Sequence, residues 1–97
     1  MFDIQLSGDG KVAMSGRLDA AQSNAAQAFM DGISGPCVVD MAALDYISSA
    51  CLRVLLSTQK RLKGTGHTLS LINVSRQIAD VFKYSGFDKL FSIEVRA

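Results

Sequence analysis

The stretch DYISSACLRV, residues 45–54, places two hydroxyls and a thiol, Ser48, Ser49 and Cys51, where an apolar, strand-like segment gives way to helical spacing. Several chemistries are open to them. A serine ahead of an apolar helical run can cap the helix by accepting one of its orphan N–H groups. That accounts for one serine and leaves the second unexplained. A nucleophilic serine needs a general base and an oxyanion motif. His67 is the only histidine, it falls in a strand-like segment, and no G-x-S-x-G pattern surrounds the pair. A helix N-terminus can lower a thiol pKa, but Cys51 falls on the apolar stripe and reads as a small core residue. The remaining chemistry is modification. Phosphate on a first-turn serine meets free N–H groups and the positive end of the helix dipole. The fold can then accept about −1.5 to −2 of added charge, while any partner surface laid over it would change.

Residues around the pair extend the candidate surface. Arg53 lies one helical turn beyond Ser49, so both can face the same partner. Leu56, Ser57 and Lys60 continue that strip. Either the strip is a solvated face, or Arg53 is a polar anchor and Leu52 or Leu56 an apolar one. Asp19 reads as a helix cap worth about 1 kcal/mol, as a loop carboxylate beside Ser49, or as both. Asp40 ends an apolar strand on the side where an α/β sheet usually presents its ligand site. Its other reading is a turn residue.

Composition sets the bounds. The chain has 97 residues, 48% hydrophobic and 20% charged, which fits one globular domain with a modest core. A net charge of +1 gives no electrostatic argument for nucleic acid or an anionic membrane. The two cysteines, Cys37 and Cys51, match neither a disulfide framework nor a zinc spacing, so no metal or cofactor is expected. The start, MFDIQLSGDG, does not resemble a signal peptide. No apolar run approaches the roughly 18 residues of a membrane span. A reduced, cytoplasmic setting without membrane insertion is the simplest expectation.

Patterning then supplies the elements that must position the site. FDIQL alternates Phe2, Ile4 and Leu6 with polar residues, GDGK is a hairpin turn, and VAMSGRL is the return strand. In DAAQSNAAQAFMDGI, Asp19 can cap a helix whose face is Gln22, Ala25, Ala26, Phe29 and Ile33, stopped by Gly35–Pro36. CVVDM is a short apolar strand. SSACLRVLLSTQKRLKGTG is a helix with Cys51, Val54, Leu55, Thr58 and Leu62 on one face and Arg53, Lys60, Arg61 and Lys63 mostly off it, ended by Gly64 and Gly66. HTLSLIN is a strand. Ser75 caps RQIADVFKYSG, with Ile78, Val81, Phe82 and Ser85 inward and Gly86 at its end, and FSIEVR is the last strand. Strand–helix alternation after an opening hairpin predicts an α/β domain with a mixed sheet and helices packed on it.

Three segments, in order, resemble the STAS domain family, which is named for sulfate transporters and anti-sigma factor antagonists. SGRLDAAQS is similar to the family's G-x-L-D after the second strand. CVVDMAALDYISSACLRVLL is similar to its signature strand and turn into a helix. SGFDKLFSI is similar to its closing segment. The resemblance spans nearly all of the chain and implies one STAS domain over residues 1–97. Carried over by position, Ser49 falls on the family's phosphorylatable serine, Asp19 and Asp40 on acidic positions near it, and Leu52 on the signature leucine. It implies a non-enzymatic anti-sigma factor antagonist. Such a protein binds an anti-sigma factor that is a GHKL-type serine kinase, is released by phosphorylation, and is reset by a PP2C-type phosphatase. With Ser48, Arg53 and Leu56, these residues make up the expected partner surface. A phosphorylation-independent STAS scaffold subunit of a transporter or signalling assembly is the alternative. The chain departs from the family pattern where Ser48 stands for Asp, Ala50 for Ser or Thr, and Cys51 and Arg53 for Gly.

Overall fold

The computed structural model describes residues 3–6, 11–33 and 35–96. Strands β1 (Asp3–Leu6) and β2 (Val12–Leu18) pair antiparallel from Asp3↔Ser15 to Leu6↔Val12, as the hairpin pattern predicts. Phe2 and most of the GDGK turn lie outside the described residues. A 3-10 turn (Ala20–Gln22) leads into helix α1 (Ser23–Asp31). Then follow β3 (Cys37–Ile47), α2 (Ser49–Lys63), β4 (Leu69–Val74), α3 (Arg76–Ser85), a second 3-10 turn (Phe87–Lys89) and β5 (Ser92–Val95). The five strands lie in chain order in one sheet, and every pairing after the hairpin is parallel. This is the mixed α/β sheet that the alternation implied.

The core forms where the strands' alternate residues meet the helices. Met14, Val39, Met41, Leu69 and Leu71 are buried together with Met30 of α1, Leu55 and Leu62 of α2, and Phe82 of α3. Phe82 packs edge-to-face on Phe91, with ring centroids 5.5 Å apart and planes at 76°, tying α3 to the approach of β5. Ser75 caps α3 by accepting the Ile78 N–H at 3.3 Å, and Gly86 ends it with φ 79°, a left-handed conformation that costs glycine little.

Three sequence expectations change. CVVDM is only the first part of an eleven-residue strand. β3 leaves β4 after Asp40↔Ile72 but continues along β2, through two register shifts, to Leu18↔Ile47. In α1, Ala26, Phe29 and Ile33 pack on the core as expected, but Ala25 does not and Met30 joins them. Ala26 and Met30 are buried, one turn apart, while Ala25 is exposed, and the helix ends at Asp31 before Gly35–Pro36. In α3, Ile78 and Phe82 are buried and Ala79 packs half-buried beside them, while Val81 and Ser85 face outward because the helix touches the sheet along a narrow line.

α2 is covered more widely than an apolar stripe predicts. Gln59 is buried within it, donating from Nε2 to the Leu90 carbonyl at 2.7 Å and accepting the Leu69 N–H at 2.7 Å. One side chain thus satisfies two backbone groups at the start of β4 and the approach to β5. Gln59→Leu keeps the volume but orphans both groups. It should cost about 2–4 kcal/mol, read as a fall in the urea midpoint at unchanged slope.

Candidate functional site

The ends of β2 and β3 fix the start of α2. Leu18 and Ile47 are the last paired residues, and the next N–H, that of Ser48, donates to the Leu18 carbonyl at 2.8 Å. Ser48 keeps an extended backbone, φ −85° and ψ 164°, and its Oγ accepts the Cys51 N–H at 3.3 Å. Its carbonyl accepts the Cys51 and Leu52 N–H groups at 3.1 and 3.0 Å. At 9% exposure, Ser48 is the structural cap. Ser49 is the first helical residue and is exposed. The adjacent serines therefore have separate environments, one spent on the backbone and one open to a partner.

Asp19 reaches this junction from the other side. Its carboxylate makes no capping hydrogen bond to the 3-10 turn or to α1, which corrects the cap reading: the helix begins four residues later, out of its reach. Its carbonyl instead accepts the Cys51 thiol at 3.3 Å, so the β2–α1 loop is held against the first turn of α2. Oδ1 of Asp19 is buried with no hydrogen-bond partner among the described residues. Burial pushes the Cys51 thiol above its usual range, and the Asp19 charge adds to this against an opposing hydrogen bond from Ser48. Cys51 is fully buried, as its place on the stripe predicts.

Along α2, Arg53, Ser57 and Lys60 are exposed and Leu56 is half-buried, so the strip beyond Ser49 is accessible. Leu52 does not belong to it. It is 3% exposed and packs in the core, because neighbouring elements cover more than one face of α2. Asp40 does not join Ser49 either. It lies inside β3, with roughly 20 Å of strand between it and Ser48. Its Oδ1 accepts the Ala42 N–H at 2.9 Å and the Asn73 Nδ2 at 3.2 Å, which supports the bend where β3 parts from β4. Asp40 is thus a mid-strand residue, neither the strand end nor the turn residue that the sequence suggests.

Sequence reasoning missed the Arg17–Tyr46 pair. The two residues face each other across β2 and β3, with the guanidinium carbon 4.5 Å from the ring centroid. Only strand register brings them together, and no linear spacing announces it. No cluster of three or more His, Cys, Asp or Glu with metal-ligand geometry occurs among the described residues. Among them, too, no helix is long and apolar enough to cross a membrane.

A family model described as "Mlab, STAS domain" matches residues 2–93. The anti-sigma factor antagonist BtrV of Bordetella bronchiseptica, a name given there as putative, is 41% identical over 56 residues, which cover 58% of this chain and 48% of that protein. The matched region is thus about half of that curated relative's length. Among solved structures, the anti-sigma factor antagonist SpoIIAA in its unphosphorylated form superposes with a TM-score of 0.75 at 18% identity, over 96% of this chain and 87% of that one. The phosphorylated form of the Bacillus cell fate determinant SpoIIAA gives 0.69 at 18% identity, over 96% and 90%.

The geometry separates the two serines energetically. Ser48→Ala should cost about 1 kcal/mol through loss of the cap, whereas Ser49→Ala should stay within about 0.5 kcal/mol; chemical denaturation of both variants measures the difference. The thiol adds a pH signature. Because the folded pKa of Cys51 is raised, the folded state holds its proton where the unfolded state loses it. The stabilisation is therefore complete below the ordinary thiol pKa and is lost as pH rises through the folded value. Between pH 7 and about pH 10 stability should fall more steeply in the parent chain than in Cys51→Ala.

Proposed function

The chain belongs to the STAS domain family, and from that premise we propose that it is a non-enzymatic anti-sigma factor antagonist switched by phosphorylation of Ser49. The observation that carries this reading is the exposed hydroxyl of Ser49 at the first position of α2, beside a cap already supplied by Ser48. The name of the Bordetella relative supports the antagonist role. The phosphorylated SpoIIAA fold supports the compatibility of this architecture with phosphate. The kinase is an anti-sigma factor of GHKL type, and a PP2C-type phosphatase resets the switch.

The unphosphorylated form is the binder. Ser49, Arg53 and Leu56 meet the partner, with Arg53 as the polar anchor and Leu56 as the apolar one. Asp19 completes the surface from the adjoining loop. Phosphate on Ser49 adds about −1.5 to −2 of charge there. The α2 N–H groups tolerate that charge, while acidic groups or bound nucleotide phosphates on the partner are repelled. Arg53, one turn away, can also pair with the phosphate and leave the partner.

A second reading has its own support. The matching family model carries the description Mlab rather than an antagonist name. On this reading the chain is a phosphorylation-independent STAS subunit that scaffolds a transporter or signalling assembly.

Phosphosite mapping after incubation with the cognate kinase and ATP separates the two readings. The expected acceptor is Ser49. Ser49→Ala should abolish phosphorylation and retain binding, and Ser49→Asp should weaken binding by roughly tenfold, the scale of one partly desolvated charge in an interface. Phosphate on Ser48 would overturn the assignment, and phosphate on neither serine would favour the scaffold.

A further inference from the structure

A cleft of about 420 Å³ lies between α3 and the last residues of β3, where Asp45, Tyr46 and Ile47 face Ile78, Asp80, Val81 and Tyr84. Its floor is the buried edge of the core, Ile47 and Ile78. Its rim carries exposed apolar groups: Tyr46 at 39%, Val81 at 36% and Tyr84 at 87% exposure. Asp80, Val81 and Tyr84 occupy one flank of α3, at spacings that bring side chains together on a helix surface. Water gains nothing from a tyrosine standing 87% exposed beside a second tyrosine and a valine, and aromatic rims of this kind are common at contact sites. The size is that of a pocket for one or two side chains.

The charge is as specific as the shape. Two carboxylates line the cleft, Asp45 on the β3 side and Asp80 on the α3 side; no Lys or Arg is among the described residues that line it, although Arg17 stacks on the lining Tyr46. Such walls repel phosphate, nucleic acid and acidic peptides, and attract a cation flanked by aliphatic surface. The Tyr46 ring already carries a guanidinium, since Arg17 lies 4.5 Å from its centroid. Arg17 takes up that ring, so an incoming arginine is recognised by the two carboxylates and not by Tyr46.

We propose that this cleft is a docking site for a polypeptide segment of a partner protein in which an arginine is flanked by aliphatic residues. The arginine lies between Asp45 and Asp80, and its neighbours cover Val81 and Tyr84. The site goes beyond the Ser49 switch and does not depend on it. β3 runs from the cleft directly into Ser48 and Ser49, so a partner seated here would be held beside the start of α2 by contacts that phosphorylation leaves intact.

The test uses the whole chain, isotope-labelled, titrated with the peptide acetyl-LRLRL-amide and, in parallel, with acetyl-LELEL-amide. Amide shifts should move at residues 45–47 and 77–84 with the basic peptide and stay still with the acidic one. Asp45→Asn and Asp80→Asn should each weaken the basic peptide by about two- to fivefold, the scale of an exposed ion pair. Tyr84→Ala, at a solvent-exposed position that leaves folding intact, should weaken it by about fivefold or more. Added salt should weaken the parent and not the doubly neutralised chain. Absence of cleft shifts, equal response to both peptides, or the same shifts on raising protein concentration without peptide would each overturn the proposal. No kinase enters the measurement, so its failure is independent of the fate of Ser49.

Discussion

One hydrogen bond organises the end of the molecule where α2 begins. The Ser48 N–H donates to the Leu18 carbonyl at 2.8 Å, one residue beyond the last β2–β3 pair. It extends the sheet by one step on the side of β3 and at the same moment holds Ser48 in the extended conformation a helix cap needs. The direction in which α2 leaves the sheet is set there. So is the separation of the serines, because the residue before the helix must turn inward to cap it and the residue after begins its exposed side. The β2–α1 loop is drawn to the same point, since Cys51 in the first turn donates to the Asp19 carbonyl.

The far end of α2 anchors the helix by a different means. Arg61 donates from Nη1 to Ile33 and from Nη2 to Met30, both at 2.7 Å, and so satisfies carbonyls at the end of α1. The Met30 carbonyl also accepts the Ile33 N–H at 3.0 Å, so Arg61 adds to the turn that closes α1, and its fixed fork of donors reaches both carbonyls. Lys60 and Lys63 share that last turn with Arg61, whereas the first turn of α2 contains no acidic residue. The positive charges sit at the negative pole of the helix dipole, and at the positive pole the nearby carboxylate comes from outside the helix, from Asp19 of the β2–α1 loop.

Much of this was legible because local chemistry decided it. Ser75 and Gly86 bound α3 as their types require, and the Cys51–Leu62 stripe of α2 is buried as its period demands. What the sequence hid depends on register and on neighbours. The linear pattern ends its short strand at Met41, and although the stretch before Ser48 still reads as strand-like, nothing in it shows that the two pieces are one strand. Pairing with β2 alone holds it extended. That longer strand moves Asp40 away from the serines. Leu52 resembled an anchor because motif position says nothing about how many elements pack on a helix. Asp19 offered a cap by residue type, but the 3-10 turn intervened between it and α1.

The departures from the STAS pattern at positions 48 and 51 also become intelligible in this frame. A side chain in place of glycine at position 51 would obstruct a docking partner if it pointed outward. Here the thiol is fully buried and spends its proton on the Asp19 carbonyl, so the outer surface of the turn stays unobstructed. Serine in place of aspartate at position 48 keeps the capping oxygen but removes a charge. An aspartate there would neutralise part of the helix dipole, a favourable interaction of about 0.3–1 kcal/mol, and would stand as a like charge next to any phosphate on Ser49. The neutral cap gives up that modest stabilisation. In return it leaves Asp19 as the carboxylate at this end of α2 instead of adding a second one directly beside Ser49, which favours Ser49 as a position where added negative charge is tolerated.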